Sequence, residues 1–358
     1  MFFPAYYGLD TGRPNECFID EWGYSDVDAA KEFLENRRSK LQGESLANER
    51  RRFPFTIQEA FRVDKDSVFD TARIYEQIEY NISLKNQLVR GNLHPEDIND
   101  PFGRIKFVPN ENGRWLFHKL PDIEDRNRKK YIGKYMAPGN TDKYSSGCDP
   151  VDHHKTFSNR QSHAAAFVYR NFDGYDRQNT DIFVGSYYAR PPRIEDFFLD
   201  MAMQSIYFGI ELLCENNKSG LINYFIFNGL QKYLTIRPDI IDPEKDQYGI
   251  PMTGEAPRAL LIRSIQTWVY DNLGRQEETD FNGNLIKEWM GNCQFDDLLN
   301  ELPEFDVEEW NPYDRTVAAG LTLIAKSRAL IKKKKVEVKK PIPVKIYSTR
   351  GVTSKRIQ

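Results

Sequence analysis

A length of 358 residues suits one large domain with attachments or two domains of ordinary size, and 40% hydrophobic residues give a folding core that a disordered chain lacks. From Ile331 onward ten Lys or Arg face one acid, Glu337, so this end carries +9, and a net charge of -3 leaves -12 for the remainder. That balance excludes a binder that is basic over its whole surface but leaves room for a local basic groove. Cys17, Cys148, Cys214 and Cys293 lie far apart without zinc-site spacing and are expected as free thiols in a reducing cytoplasm. The start of the chain lacks a basic-then-apolar leader and no run of eighteen apolar residues occurs, so neither secretion nor membrane insertion is expected.

Residues 1–63 contain DVDAAKEFLENRRSKLQ, whose Ala29, Phe33 and Leu34 recur at helical spacing among charges and predict a surface helix. In RRFPFTIQEAFRV, Pro54 ends one element, and Thr56 with Glu59 three residues on forms a capping-box pattern opening a short helix. Residues 64–142 predict a small α/β-hairpin subdomain. A helix runs through FDTARIYEQIEYNISLK, and in RIKFVPNENGRWLFHKL the pair Asn112-Gly113 between two apolar runs predicts a hairpin turn. Residues 143–331 carry the clearest order, with strands predicted in YSSGCDPV, SHAAAFVYRN, TDIFVGSYYAR, IELLCENN and KYLTIRP. Before IELLCENN stands the helical RIEDFFLDMAMQSIYFG, stopping at Gly209; after it stands SGLINYFIFNGL. Later helices are predicted in APRALLIRSIQTWVYDNL, NLIKEWMGNCQFDDLLNEL and DRTVAAGLTLIAKSRALI. Residues 332–358, rich in Lys and without a helical period, predict a basic C-terminal tail.

Three strands joined by short turns, then helix, strand, helix, strand, helix, is an RNase H-like order: an α/β fold with a mixed five-stranded sheet flanked by helices, here behind an N-terminal helical/β-hairpin extension. Short turns make the first three strands antiparallel and helical crossovers make the later ones parallel, which brings the strand of Glu215 beside the strand of Asp149.

Asp149 in GCDPV ends the first strand, Glu215 in LLCENN ends the fourth, and Asp314 in NPYDRTVAAG opens the last helix. Carboxylates delivered from separate elements suit two divalent ions about 3.5–4 Å apart, which activate water and stabilise the leaving 3′ oxygen of a phosphodiester. Oxygen ligands without a zinc-like histidine pattern suit Mg2+ or Mn2+. A structural role is open to each acid alone: Asp149 before Pro150 as a turn opener, Glu215 as a polar strand exit, Asp314 as a favourable charge in a helix's first turn. Their order joins them, and the small residues Ala318, Ala319 and Gly320 allow the last helix to approach a sheet closely. Glu211 alternates onto the same strand face as Glu215 and is its rival. Asp297, in an acidic run with Asp296 and Asp306, is a source of alternative ligands. His153 and His154 stand beside Asp149, and Lys218 reads as a surface lysine or a phosphate contact. PDIIDPEKDQYGIPMTGEAPR reads as a flap over the site or an ordinary loop.

FPFTIQEAF, GCDPV, YYARPPRIEDF, ENNKSGL and YDRTVAAGLTLIA, in this order and spacing, resemble the nuclease segment of the terminase large subunit of tailed bacteriophages over roughly Phe53–Ala329. The resemblance implies a metal-dependent endonuclease that cuts concatemeric viral DNA during packaging, in the cytoplasm of an infected bacterial host. It implies Asp149, Glu215 and Asp314 as the catalytic, metal-binding acids, with two Mg2+ or Mn2+ as cofactors. Double-stranded DNA is then the substrate, and portal protein, small terminase subunit and a packaging ATPase domain are the partners.

The chain departs from the family pattern in having no GxxxxGK[ST] loop, so no motor activity is expected, and residues 1–63 read as the tail of a missing packaging ATPase and its linker. For the family's additional acid after the first-strand Asp, Asp152 is a candidate whose register is open. Two other readings stand beside this one: an RNase H-like transposase, integrase or junction resolvase, and a non-catalytic module that docks DNA or a portal.

Overall fold

Strands that read as unbroken apolar runs demand cover on both faces. A computed structural model of the chain shows how that cover is supplied; it describes residues 3–13, 16–41, 43–56, 59, 67–84, 88–128, 130–132, 135–151, 163–174, 179–238, 241, 247–280, 283, 285–310, 312–331, 344–348 and 351–355.

Helix α1 (Val27–Arg38) starts at Asp26, whose carboxylate accepts the Ala29 N–H, and buries Ala30 and Leu34. With α2 (Gly43–Arg52) it accompanies a small apolar cluster of Leu9, Phe18, Phe33 and Phe53. Helix α3 (Thr71–Ser83), capped by Asp70, precedes strands β1 (Val89–Pro95), β2 (Ile105–Pro109) and β3 (Trp115–Phe117). A short α4 (Ile123–Asn127) and the pair β4 (Lys130–Ile132) and β5 (Tyr135–Ala137) lead into β6 (Tyr144–Asp149), β7 (Ala164–Arg170) and β8 (Ile182–Ala189). Helix α5 (Ile194–Phe208) stops at the predicted Gly209, left-handed at φ 66°. Then come β9 (Leu212–Cys214), α6 (Gly220–Phe227) and α7 (Glu255–Asn272). The hairpin β10 (Arg275–Thr279) and β11 (Leu285–Met290), α8 (Asp296–Glu301), α9 (Asp314–Ile331) and a last hairpin, β12 (Val344–Ser348) and β13 (Gly351–Lys355), complete the order.

The result is an α/β fold around a seven-stranded mixed sheet of order β2-β1-β3-β8-β7-β6-β9. Every neighbouring pair is antiparallel except β6 and β9, which run parallel with Cys148 opposite Cys214. Alternate residues of β7 point to opposite faces: Ala164, Ala166 and Val168 join one core with Phe197 and Met201 of α5 and Leu221 of α6. Ala165, Phe167 and Tyr169 join the other with Leu261 and Trp268 of α7 and Val317, Ala318 and Leu321 of α9. The sheet is therefore sandwiched between two helical layers. No helix among the described residues is long and apolar enough to cross a membrane.

Four expectations need correction. The sheet has seven strands rather than five, because β1–β3 extend it through the β3–β8 pairing. Asn112-Gly113 does not close a hairpin of β2 with β3; β1 lies between them and pairs with both. The chain instead crosses β1 at Gly91, so near that a Cβ on Gly113 would stand 2.3 Å from the Gly91 carbonyl oxygen. KYLTIRP is reduced to bridges, Leu234 to Leu212 and Ile236 to Tyr248. LIKEWM, read as helix, is strand β11, paired with β10 from Arg275↔Met290 to Thr279↔Leu285.

Candidate functional site

The parallel pairing of β6 and β9 delivers Asp149 and Glu215 to the same edge of the sheet. Asp149 is the last residue of β6, and Glu215 directly follows β9, its N–H donating to the Cys148 carbonyl at 3.0 Å. The Glu215 carboxyl is near enough to raise that of Asp149. Beneath them Cys148 and Cys214 are fully buried; burial pushes the Cys214 thiol up to about 12 and the Cys148 thiol well above its usual value. Both stay uncharged near neutrality, so negative charge at this edge belongs to the carboxylates.

Helix α9 brings the third acid. Gly147 permits the approach: a Cβ there would stand 2.3 Å from the Thr322 amide nitrogen and 2.6 Å from the Leu321 carbonyl carbon. On the helix's far side Gly320 meets Leu261 of α7 equally closely, a Cβ falling 2.3 Å from Leu261 Cγ. The small residues of VAAGL thus let α9 lie between sheet and α7 with Asp314 at the edge where Asp149 and Glu215 end.

Asp314 is not spent on capping its own helix. The Thr316 N–H and hydroxyl both donate to Glu301, at 2.7 and 2.9 Å, so Glu301 serves the first turn. The Asp314 carboxylate instead accepts the His163 N–H at 2.9 Å, at the entrance to β7. Nor is Asp149 a solvated turn residue, being 9% exposed and facing another carboxyl.

Burial, then Glu215, then Asp314, hold the Asp149 carboxyl well above the ordinary carboxylate range, against the pull of Lys218. Burial likewise raises Asp314, while the His163 N–H and ring, Lys218 and Arg315 oppose it. Asp149 therefore lies in the field of both other sequence-derived acids.

Glu211 stands before β9, four residues and about 13 Å along the strand from Glu215, at its opposite end. Asp297 pairs with Arg315 at 3.2 Å, and Asp296 accepts from Asn81 at 2.7 Å. Asp152, His153 and His154 lie outside the described residues, as do residues 239, 240 and 242–246 of the proposed flap, whose later part is bridged at Tyr248 to Ile236 and at Ile250 to Glu215.

Sequence reasoning missed a wall beside Asp314. The Tyr188 ring is sandwiched, with the His163 ring stacked at 4.7 Å and the Arg315 guanidinium 3.4 Å from its centroid. Arg315 is held there by Asp297 and, at 3.5 Å, by Glu301. A backbone N–H from His163 has no residue signature, whereas Arg315 directly after Asp314 was a readable signal.

As a donor set, three carboxylates on three separate elements are of the all-oxygen kind that a hard divalent cation takes, with Asp149 and Asp314 buried and Asp149 crowded by like charge. Among the described residues no three or more His, Cys, Asp or Glu side chains are grouped so that they could hold a metal ion. The Asp314 carboxylate is turned toward the His163 N–H. No protein-family model and no curated protein sequence matches the chain.

Proposed function

We propose that this chain is a metal-dependent DNA endonuclease with an RNase H-like core, acting as the nuclease part of a phage-type DNA-packaging terminase. One observation carries the reading: acids from two neighbouring parallel strand ends and from the start of a closely packed helix share one electrostatic environment. Asp149, Glu215 and Asp314 would hold two Mg2+ or Mn2+. Bound there, the ions would activate water and stabilise the departing 3′ oxygen. The chain's own part is to gather the carboxylates and bury those of Asp149 and Asp314, while the His163 N–H orients Asp314. Arg315, stacked on Tyr188 directly after Asp314, would supply a cation to a phosphate bound at these acids. Double-stranded DNA is the substrate on this reading, with portal protein, small terminase subunit and a packaging ATPase as partners in the infected host's cytoplasm.

Supercoiled plasmid incubated with the protein and Mn2+ or Mg2+ tests the reading. Nicking and linearisation without strong sequence preference are expected, abolished by chelator and by Asp149→Asn, Glu215→Gln or Asp314→Asn. Undiminished cleavage in chelator or in folded variants would sink the assignment. Strand joining or junction-specific cutting would point instead to a transposase or resolvase on the same core. Binding without cleavage would point to a docking module.

A further inference from the structure

Lys218 follows Glu215 by three residues, in the connection between β9 and α6, where composition alone suggests a surface lysine. Its surroundings differ from that expectation. The connection is tied down: Asn216 donates from its backbone to Ile250 O at 2.9 Å and from its side chain to Tyr248 O at 2.7 Å, and the Asn217 side chain donates to Glu215. From this anchored stretch the half-buried Lys218 reaches back across the sheet edge, its Nζ donating to Pro150 O at 3.1 Å. Pro150 adjoins Asp149. The ammonium is thereby held one residue from Asp149, at the edge where the acids gather and where its charge opposes theirs. Arg315, the neighbouring guanidinium, is already engaged by Asp297 and Glu301.

We infer that Lys218 is a positioning residue, the resident counter-cation of the acid cluster: it holds Asp149 and Asp314 together in the metal-free protein and opposes the charge of an incoming divalent ion. The second half rests on the metal site proposed above; the first half does not. A fixed positive charge among three acids makes the empty site cheaper to fold and weakens cation binding, so removing it has opposite effects on the two. A lysine that merely packs its stem would, when replaced, weaken both or neither.

The full chain is tested as parent, Lys218→Met, Lys218→Gln and Lys218→Arg, alone and combined with Asp149→Asn. Thermal melts in chelator and Mn2+ titrations followed by electron paramagnetic resonance are the two readouts. Lys218→Met and Lys218→Gln are expected to melt below the parent in chelator, with most of that loss gone in the Asp149→Asn background. Both are expected to bind Mn2+ roughly tenfold more tightly than the parent, while Lys218→Arg behaves as the parent. Equal losses of melting temperature with and without the Asp149 charge would overturn the counter-cation role. Unchanged or weaker Mn2+ affinity in both neutral variants would overturn the opposition to metal. If charge coupling appears in the melts but no protein binds Mn2+, Lys218 keeps its counter-cation role and the metal-site reading fails.

Discussion

At the residue scale, Asp149 sets stability against chemistry. Its folded pKa is raised above the value of about 3.9 for an unfolded aspartate, so between the two the folded chain binds more protons than the unfolded one. Stability from this group is therefore fully present below about pH 4 and is lost as pH rises through the folded pKa. Asp149→Asn removes the penalty, and in chelator near pH 7 it should melt at or above the parent temperature, about 2 °C higher for each kcal/mol relieved. The gap should close toward pH 4. Saturating Mn2+ should reverse the order, because an ion at a hundredfold excess over its dissociation constant stabilises the parent by about 2.7 kcal/mol and the variant by much less. Melts of both proteins at pH 4, 5.5 and 7, with chelator and with Mn2+, measure this; equal metal-induced shifts would remove Asp149 from any metal site.

At the scale of elements, the contact of β6 with α9 decides whether the acids meet. Gly147→Ala would push a methyl group against helix backbone, which has no rotamer to yield, so it should cost about 1–3 kcal/mol or more by urea denaturation. The same shift would carry Asp314 away from Asp149, so plasmid cleavage should fall even at temperatures where the variant is folded. Gly320→Ala meets only the Leu261 side chain, on the face of α9 turned to α7, and should cost less and keep cleavage. Equal losses in the two variants would show that the β6–α9 distance does not control the site. This contact was half legible in the sequence: VAAGL announced a helix able to pack closely, but only the structure shows Gly147 receiving it. Strands β7 and β8 were readable because burial on both faces leaves apolar runs. Strand β11 was not, because Leu285, Ile286 and Trp289 mimic a helical period while all three are exposed on a hairpin. The Asn112-Gly113 turn misled for another reason: its local chemistry holds no information about β1, about twenty residues upstream, which takes the place between β2 and β3.

Across the whole molecule, charge is distributed as unevenly as composition implies. The sheet and its helices belong to the part carrying -12, the three candidate acids included, while residues from Ile331 onward carry +9. The sequence showed this imbalance directly, although the β12–β13 pairing within the basic end was not foreseen, its Val344–Lys345–Ile346 alternation being lost among the lysines and prolines. On the nuclease reading, an acidic body must approach a polyanion, and the basic end is the obvious source of attraction. Each phosphate neutralised on duplex DNA releases counterions and adds about 0.9 to the steepness with which log affinity falls against log salt concentration. Truncation after Leu330 should therefore weaken DNA binding at low salt and flatten that slope by several units if a good part of the ten basic residues touch phosphate. The acids, α9 up to that point and its packing on β6 remain, so cleavage at saturating DNA with Mn2+ should survive. Fluorescence anisotropy of a labelled duplex across a salt series gives the slope for both proteins, and plasmid cleavage gives the chemistry. A truncated protein with the parent's slope would take the basic end off the DNA-binding surface, and the attraction would then have to come from cations on the body itself, with Arg315 and Lys218 beside the acids the first to substitute.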